Sequence, residues 1–262
     1  MGAGTMAELL VWPALIAYGE AAVAYAGGLR GRGRAVRLGI WGVRVGWVAQ
    51  TALLAVQAVS SDGFPWGTWA GALNLFSWLV VSAYLIWGCR PRYRMLGLVV
   101  MPVAAGLLLL AWAGGGTAAQ QVDDAGATLA VHAGLMLVGF AAFTVAGGMA
   151  AIYLWEERRL KRRDARVLRL RLPPLDALDR LSSRVALVGL VFLAAGIVVG
   201  LTTLDWGDVD AAMGVTIAVF ALYAGLLVLR REAGLRGRRA AWWQLVGLML
   251  VALVLPITHF AA

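Results

Sequence analysis

Eight stretches of the chain, roughly 6–27, 38–59, 68–88, 95–113, 127–155, 185–204, 211–229 and 242–261, are almost unbroken runs of apolar residues separated by short polar segments. Most of them approach the ~20 residues that a helix needs to cross a hydrocarbon layer. None alternates with the period of two that a barrel strand requires, so each backbone polar group must pair within its own segment, as a helix allows. The pattern predicts an all-α fold: a polytopic transmembrane helical bundle of eight spans forming one integral membrane domain over residues 1–262. The first run has no basic segment before it, contains Glu8 and Glu20, and is followed by arginines, so it is expected to remain as a mature helix instead of being removed as a leader.

The segments between the runs carry the rest of the pattern. Arg30, Arg32, Arg34 and Arg37 follow the first run, and Arg90, Arg92 and Arg94 follow the third. Residues 156–184 form the longest polar segment, and Arg230, Arg231, Arg236, Arg238 and Arg239 follow the seventh run. Of the 23 Lys and Arg, all but Arg44 fall in these alternate segments. The intervening segments carry only acids: Asp62, Asp123, Asp124, Asp205, Asp208 and Asp210. By the positive-inside rule the basic segments face the cytoplasm, which predicts a multi-pass protein of a bacterial-type cytoplasmic membrane with both termini outside.

Composition agrees with this reading. The chain is 61% hydrophobic and 14% charged, with a mean hydropathy of +0.80. Topology accounts for the isoelectric point near 10.7; the expected counter-surface is the anionic lipid of the inner leaflet, and no nucleic-acid partner is needed. Within 156–184, EERRLKRRDARVLRLR reads as a basic extension of the fifth span. Pro173 and Pro174 then stop it, and LDALDRLSSR, with leucines at 175, 178 and 181, reads as a short amphipathic helix. Glu20 and Arg44 lie about 10 Å deep in the first and second spans and could pair. Asn74, Ser77 and Ser82 in the third span read as helix–helix hydrogen-bonding groups. Cys89 stands alone, so there is neither a disulfide framework nor a CxxCH haem-attachment sequence.

The candidate chemistry is narrow. Nucleotide-binding, metalloprotease and hydrolase-elbow motifs are missing from the sequence. Two histidines remain, His132 near the outer start of the fifth span and His259 near the outer end of the eighth. Two imidazoles converging from separate helices suit haem iron better than zinc, which takes four protein ligands in structural sites. A hydrogen-bonded residue at a helix end is the competing reading of each. Trp66 and Trp69, beside Pro65, and Trp206 stand in outer segments, where they are either interfacial anchors or a platform for a planar cofactor.

Five stretches resemble the cytochrome c assembly family of polytopic haem-handling proteins, in particular its HemX and CcsA type: NLFSWLVVSAYLIW with RMLGLVVMP (74–102), HAGLMLVGFAAF running to YLWEERRLKRR (132–163), LPPLDALDRLSSRVALVGLVFLAAGIVVG (172–200), GLRGRRAAWWQLVGLML and the terminal THFA. The resemblance implies an external histidine pair, here His132 and His259, as axial ligands of a non-covalent b-type haem, with Trp66, Trp69 and Trp206 flanking it. The family's tryptophan-rich WGxxWxWD segment is reduced here to LDWGDVDAAMG. Gln50 and Val228 stand where the family tends to have membrane-embedded histidines. Covalent haem ligation by a synthase is therefore not expected. The implied role is a haem-binding accessory of cytochrome c biogenesis, working with another assembly subunit or a haem-synthesis enzyme. The alternative is a non-enzymatic regulator or scaffold of haem biosynthesis that acts through its cytoplasmic loops and binds no haem.

Overall fold

The computed structural model describes residues 3–28, 33–61, 65–88, 96–118, 126–163, 173–202 and 211–260, and all eight elements among them are helices. They are α1 (Ala3–Gly28), α2 (Gly33–Ser60), α3 (Trp69–Gly88), α4 (Gly97–Ala113), α5 (Gly126–Lys161), α6 (Leu175–Leu201), α7 (Ala211–Glu232) and α8 (Arg238–Phe260). Among the described residues, six of these, α1 to α3 and α5 to α7, are long and apolar enough by length and composition to cross a membrane, and α4 is a shorter apolar helix. Their outward faces are rich in exposed Leu, Val, Ile and Trp, as expected of helices whose solvent is lipid. This is a multi-pass membrane protein.

The helices form two compact units, Met1–Ala130 and Val131–Ala262. In the first, α1 packs along α2 and α4, and α3 packs on α4. A ladder of buried amides runs through this unit. The Tyr18 hydroxyl donates to Gln50 Oε1 at 2.8 Å, and Gln50 Nε2 donates to the Asn74 backbone carbonyl and to Oδ1, both at 3.0 Å. Asn74 Nδ2 donates to Gln57 Oε1 at 2.8 Å, and Gln57 Nε2 ends the ladder on the carbonyls of Gly116 and Ala118. Nearby, the indoles of Trp47 and Trp78 stack at 5.8 Å, and each donates to a hydroxyl on the other's helix, Trp47 to Ser82 and Trp78 to Thr51. Ser77 donates to the Ala104 carbonyl. The polar residues of the third span thus serve as interhelical hydrogen-bonding groups.

Glu20 and Arg44 do not form an ion pair among the described residues. Both are exposed, and the Arg44 guanidinium lies 5.4 Å from the centroid of the Trp41 ring. An arginine beside an interfacial aromatic keeps its charge near headgroups without a partner at depth.

Gln50 is fully buried, so Gln50→Ala should strand the Tyr18 hydroxyl and one side of Asn74. The expected loss is about 1–3 kcal/mol of stability in detergent, the cost of orphaning buried polar groups. Chemical unfolding monitored by helical dichroism measures it; a loss no greater than that of Ser60→Ala, at an exposed position, would contradict the ladder's importance.

In the second unit, α5 and α6 run antiparallel at close range. A Cβ on Gly139 would stand 3.1 Å from the Gly189 carbonyl oxygen, and one on Gly189 would stand 3.0 Å from that of Gly139. Only hydrogen at these two positions lets the backbones approach so closely. Phe143 of α5 stacks on Tyr223 of α7 with centroids 3.8 Å apart and planes 7° apart. Leu248 of α8 fills the space beside Gly147 of α5, and Leu154 packs with Ala241 and Leu245 further along. The pairing of 147 with 248 and of 154 with 241 makes α5 and α8 antiparallel. The segment LDALDRLSSR forms the first turns of α6, continuous with the apolar span that follows it, and Glu156 to Lys161 continue α5.

Candidate functional site

His132 lies seven residues into α5, half-buried against the C-terminal end of α6. Its Nδ1 is 2.7 Å from the carbonyl oxygen of Gly196. Because a carbonyl only accepts, Nδ1 must carry a proton, so that in the neutral form of the ring the lone pair is on Nε2. A histidine whose second nitrogen is tied to a backbone carbonyl is a ligand fixed in tautomer and in ring orientation. The donor chemistry therefore fits an iron or other metal ion at Nε2, and no partner for that nitrogen occurs among the described residues.

Two glycines one turn apart make this arrangement possible. A Cβ on Gly200 would stand 2.6 Å from His132 Cε1 and 2.7 Å from Nδ1, and a Cβ on Gly196 would meet Met136 Sδ at 2.9 Å. The pair in GIVVG thus forms a slot on α6 that seats the ring of His132 and the side chain of Met136. Gly196 and Gly200 were not among the residues singled out from the sequence. The signal that could have found them is the small-xxx-small spacing within an otherwise bulky apolar span.

His259 falls in the last turn of α8, and its side chain lies outside the described residues. Since α5 and α8 are antiparallel, the second turn of α5 and the last turn of α8 belong to the same end of this four-helix unit. Carrying the packing register along both helices brings residue 259 within roughly two turns of His132 along the axis. Trp66 stands in the turn before α3 and Trp69 opens α3, 39% exposed, both within the first unit. Trp206, and with it the remnant of the tryptophan-rich segment, lies outside the described residues.

Gln50 and Val228, where the resemblance implied histidines, differ in surroundings. Gln50 is committed through its amide to Tyr18 and Asn74. Val228 of α7 is 58% exposed and faces away from the core.

At the opposite end of the second unit is a buried ion pair that the sequence reading passed over. Arg230, at the end of α7, grips Asp179 of α6 through both terminal guanidinium nitrogens, Nη1 donating to Oδ1 at 3.0 Å and Nη2 to Oδ2 at 2.6 Å, and Nη2 also donates to the Asp179 backbone carbonyl at 3.2 Å. The Gly237 N–H donates to Asp179 Oδ1 at 3.2 Å. The two side chains are 9–10% exposed. Asp179 directly follows Leu178, within the leucine stripe of LDALDRL, so its place on the buried face could have been read from that periodicity.

Comparison with known proteins gives the family. The profile of the family described as "Cytochrome C assembly protein" matches residues 66–260. The chain is 27% identical to Protein HemX of Brevibacillus brevis over 217 residues, covering 78% of each chain. It is 24% identical to Protein HemX of Bacillus subtilis over 239 residues, covering 87% of this chain and 84% of the relative. It is 26% identical to the inner membrane protein YpjD of Escherichia coli K12 over 136 residues, covering 50% and 49%. No solved structure matches it. With the family profile spanning both histidines and all of α3 to α8, the chain belongs to the cytochrome C assembly protein family.

Proposed function

We propose that the protein is a haem-handling accessory of cytochrome c biogenesis in a bacterial-type cytoplasmic membrane, with eight spans, both termini outside, and a bis-histidine haem site at the outer face. The observation that carries this reading is the seating of His132: its Nδ1 proton is committed to the Gly196 carbonyl, which leaves Nε2 as the free donor. His259, in the last turn of α8, would supply the second nitrogen to the same iron. Bound there, a b-type haem would supply an iron that accepts two neutral nitrogens. The protein's part is to hold His132 in one tautomer and to present the site at the end of the helices. Flanking of the porphyrin by Trp66, Trp69 and Trp206 rests on the sequence resemblance. Membership of the cytochrome c assembly family supports the haem-related role.

The test is the absorption spectrum of the detergent-purified protein with and without added haemin. A low-spin bis-histidine Soret band with resolved α and β bands is expected, and His132→Ala and His259→Ala should each abolish or shift it. A spectrum indifferent to both substitutions would overturn the proposal and favour a scaffold that acts through its cytoplasmic loops without haem.

A further inference from the structure

The other end of α5 carries a feature that the haem reading does not use. Between the last turns of α5 and the first turns of α8 lies an open cleft of about 410 Å³. Its floor is apolar, made by Ala151, Leu154 and Leu245, and its rim is cationic, made by Arg158, Arg159 and Arg162. Two tryptophans stand at the boundary between floor and rim. The Arg158 guanidinium lies 5.7 Å from the Trp242 ring centroid and that of Arg159 lies 5.0 Å from the Trp155 ring centroid. Such contacts hold the guanidinium planes beside the cleft, and that of Arg158 stacks by its face, which leaves its N–H edge directed away from the ring.

We propose that this cleft is a binding site for one anionic phospholipid, its phosphate held by Arg158 and Arg162, with Arg159 alongside, and its first methylenes on the Ala151–Leu154–Leu245 floor. Three observations converge on that occupant. First, the cleft lies where the apolar span ends and the basic segment begins, the depth at which a headgroup meets its acyl chains. Second, every charged side chain lining it is an arginine. Glu157, the acid next to this run, is engaged elsewhere: it accepts from Lys161 at 2.7 Å and lies 4.0 Å from Arg238. Third, the polar and apolar parts are arranged end to end, as in a phospholipid, instead of being mixed as they would be for a soluble anion. Basic pockets between helices at the cytoplasmic side are suited to anionic headgroups, and the planar guanidinium matches phosphate oxygens two at a time. A zwitterionic lipid would bring its own cation toward the same three arginines and bind less well.

The site is separate from the histidine end of the unit, so its test does not depend on haem. Full-length protein in mild detergent is titrated with dioleoyl phosphatidylglycerol or with phosphatidylcholine of the same chains, and retained lipid is counted by native mass spectrometry. Phosphatidylglycerol should be retained in preference. The double variant Arg158→Gln/Arg162→Gln should weaken its retention by about tenfold or more, given the contribution of each basic residue to anionic-lipid binding. The double variant Arg236→Gln/Arg239→Gln removes the same charge from exposed positions outside the cleft and should change retention less than about twofold. Equal effects of the two double variants, or equal retention of the two lipids, would overturn the proposal. So would displacement of the lipid by millimolar inorganic phosphate, which would mark a site for free phosphate, or by haemin, which would mark a porphyrin site.

Discussion

Replacing Asp179 by alanine should destabilise the second helical unit by about 3–5 kcal/mol, because it leaves the Arg230 guanidinium buried without a counter-charge. The carboxylate joins three elements at once: it is carried by α6, it pairs bidentately with the end of α7, and it accepts the backbone N–H of Gly237 in the turn to α8. That turn is already held in the left-handed region, with φ of 69° at Gly237. Losing the acceptor therefore frees the approach of α8 as well as the contact of α6 with α7. Asp176, one turn earlier on the same helix, is the internal control. It pairs with Arg180, but the two side chains are 70% and 59% exposed, and an exposed pair of this kind contributes about 0–1 kcal/mol. Thermal unfolding in detergent should separate Asp179→Ala from Asp176→Ala by a wide margin. The double substitution Asp179→Leu/Arg230→Met should restore much of the loss, since removing both charges removes the penalty. Equal melting of the two alanine variants would show that the pair is not the clasp described.

The same residues show which parts of this fold hydropathy can display. Apolar runs gave the helices, because a membrane helix must be apolar over its length whatever its neighbours are. Buried charge was not legible. A window that averages hydropathy counts Asp179 and Arg230 as interruptions, and it marks the sixth span from 185, whereas α6 begins at Leu175. In the folded chain the two charges satisfy each other and their helix turns join the packed unit. Glu156 behaves likewise: charge places it in a polar segment, yet it is 7% exposed within the continuous α5. Polar groups in the third span were legible as hydrogen-bonding residues. Their partners Gln50 and Gln57 were not, since which helix faces which is a property of packing and not of composition. At the candidate site, both histidines stood out because the chain has only two. What tunes His132, a carbonyl and the missing side chain of Gly200, has no polar signature at all.

That missing side chain provides the sharpest test of the site, since it perturbs the histidine without removing it. Gly200→Ala would place a methyl carbon 2.6–2.7 Å from two atoms of the His132 ring, well inside van der Waals contact. The α6 backbone cannot retreat easily, because Gly189 and Gly139 already hold it against α5, so the ring must swing and its bond to the Gly196 carbonyl must lengthen or break. If Nε2 of His132 is an axial ligand, the loss of this orienting bond should lower haem affinity by about 10–100-fold, the usual cost of removing an outer-shell partner of a metal-bound imidazole. Gly196→Ala is the milder counterpart: its methyl meets the flexible Met136 side chain, which can turn aside, and the Met136 backbone nitrogen at 3.3 Å, which asks only a small parting of α5 and α6, so haem affinity should fall less than in Gly200→Ala. Haemin titration of the Soret band on both variants reads the difference. Equal affinities in Gly200→Ala, Gly196→Ala and the unsubstituted protein would mean that the imbedded imidazole serves only the packing of α5 on α6, and that whatever this family member does with haem it does elsewhere.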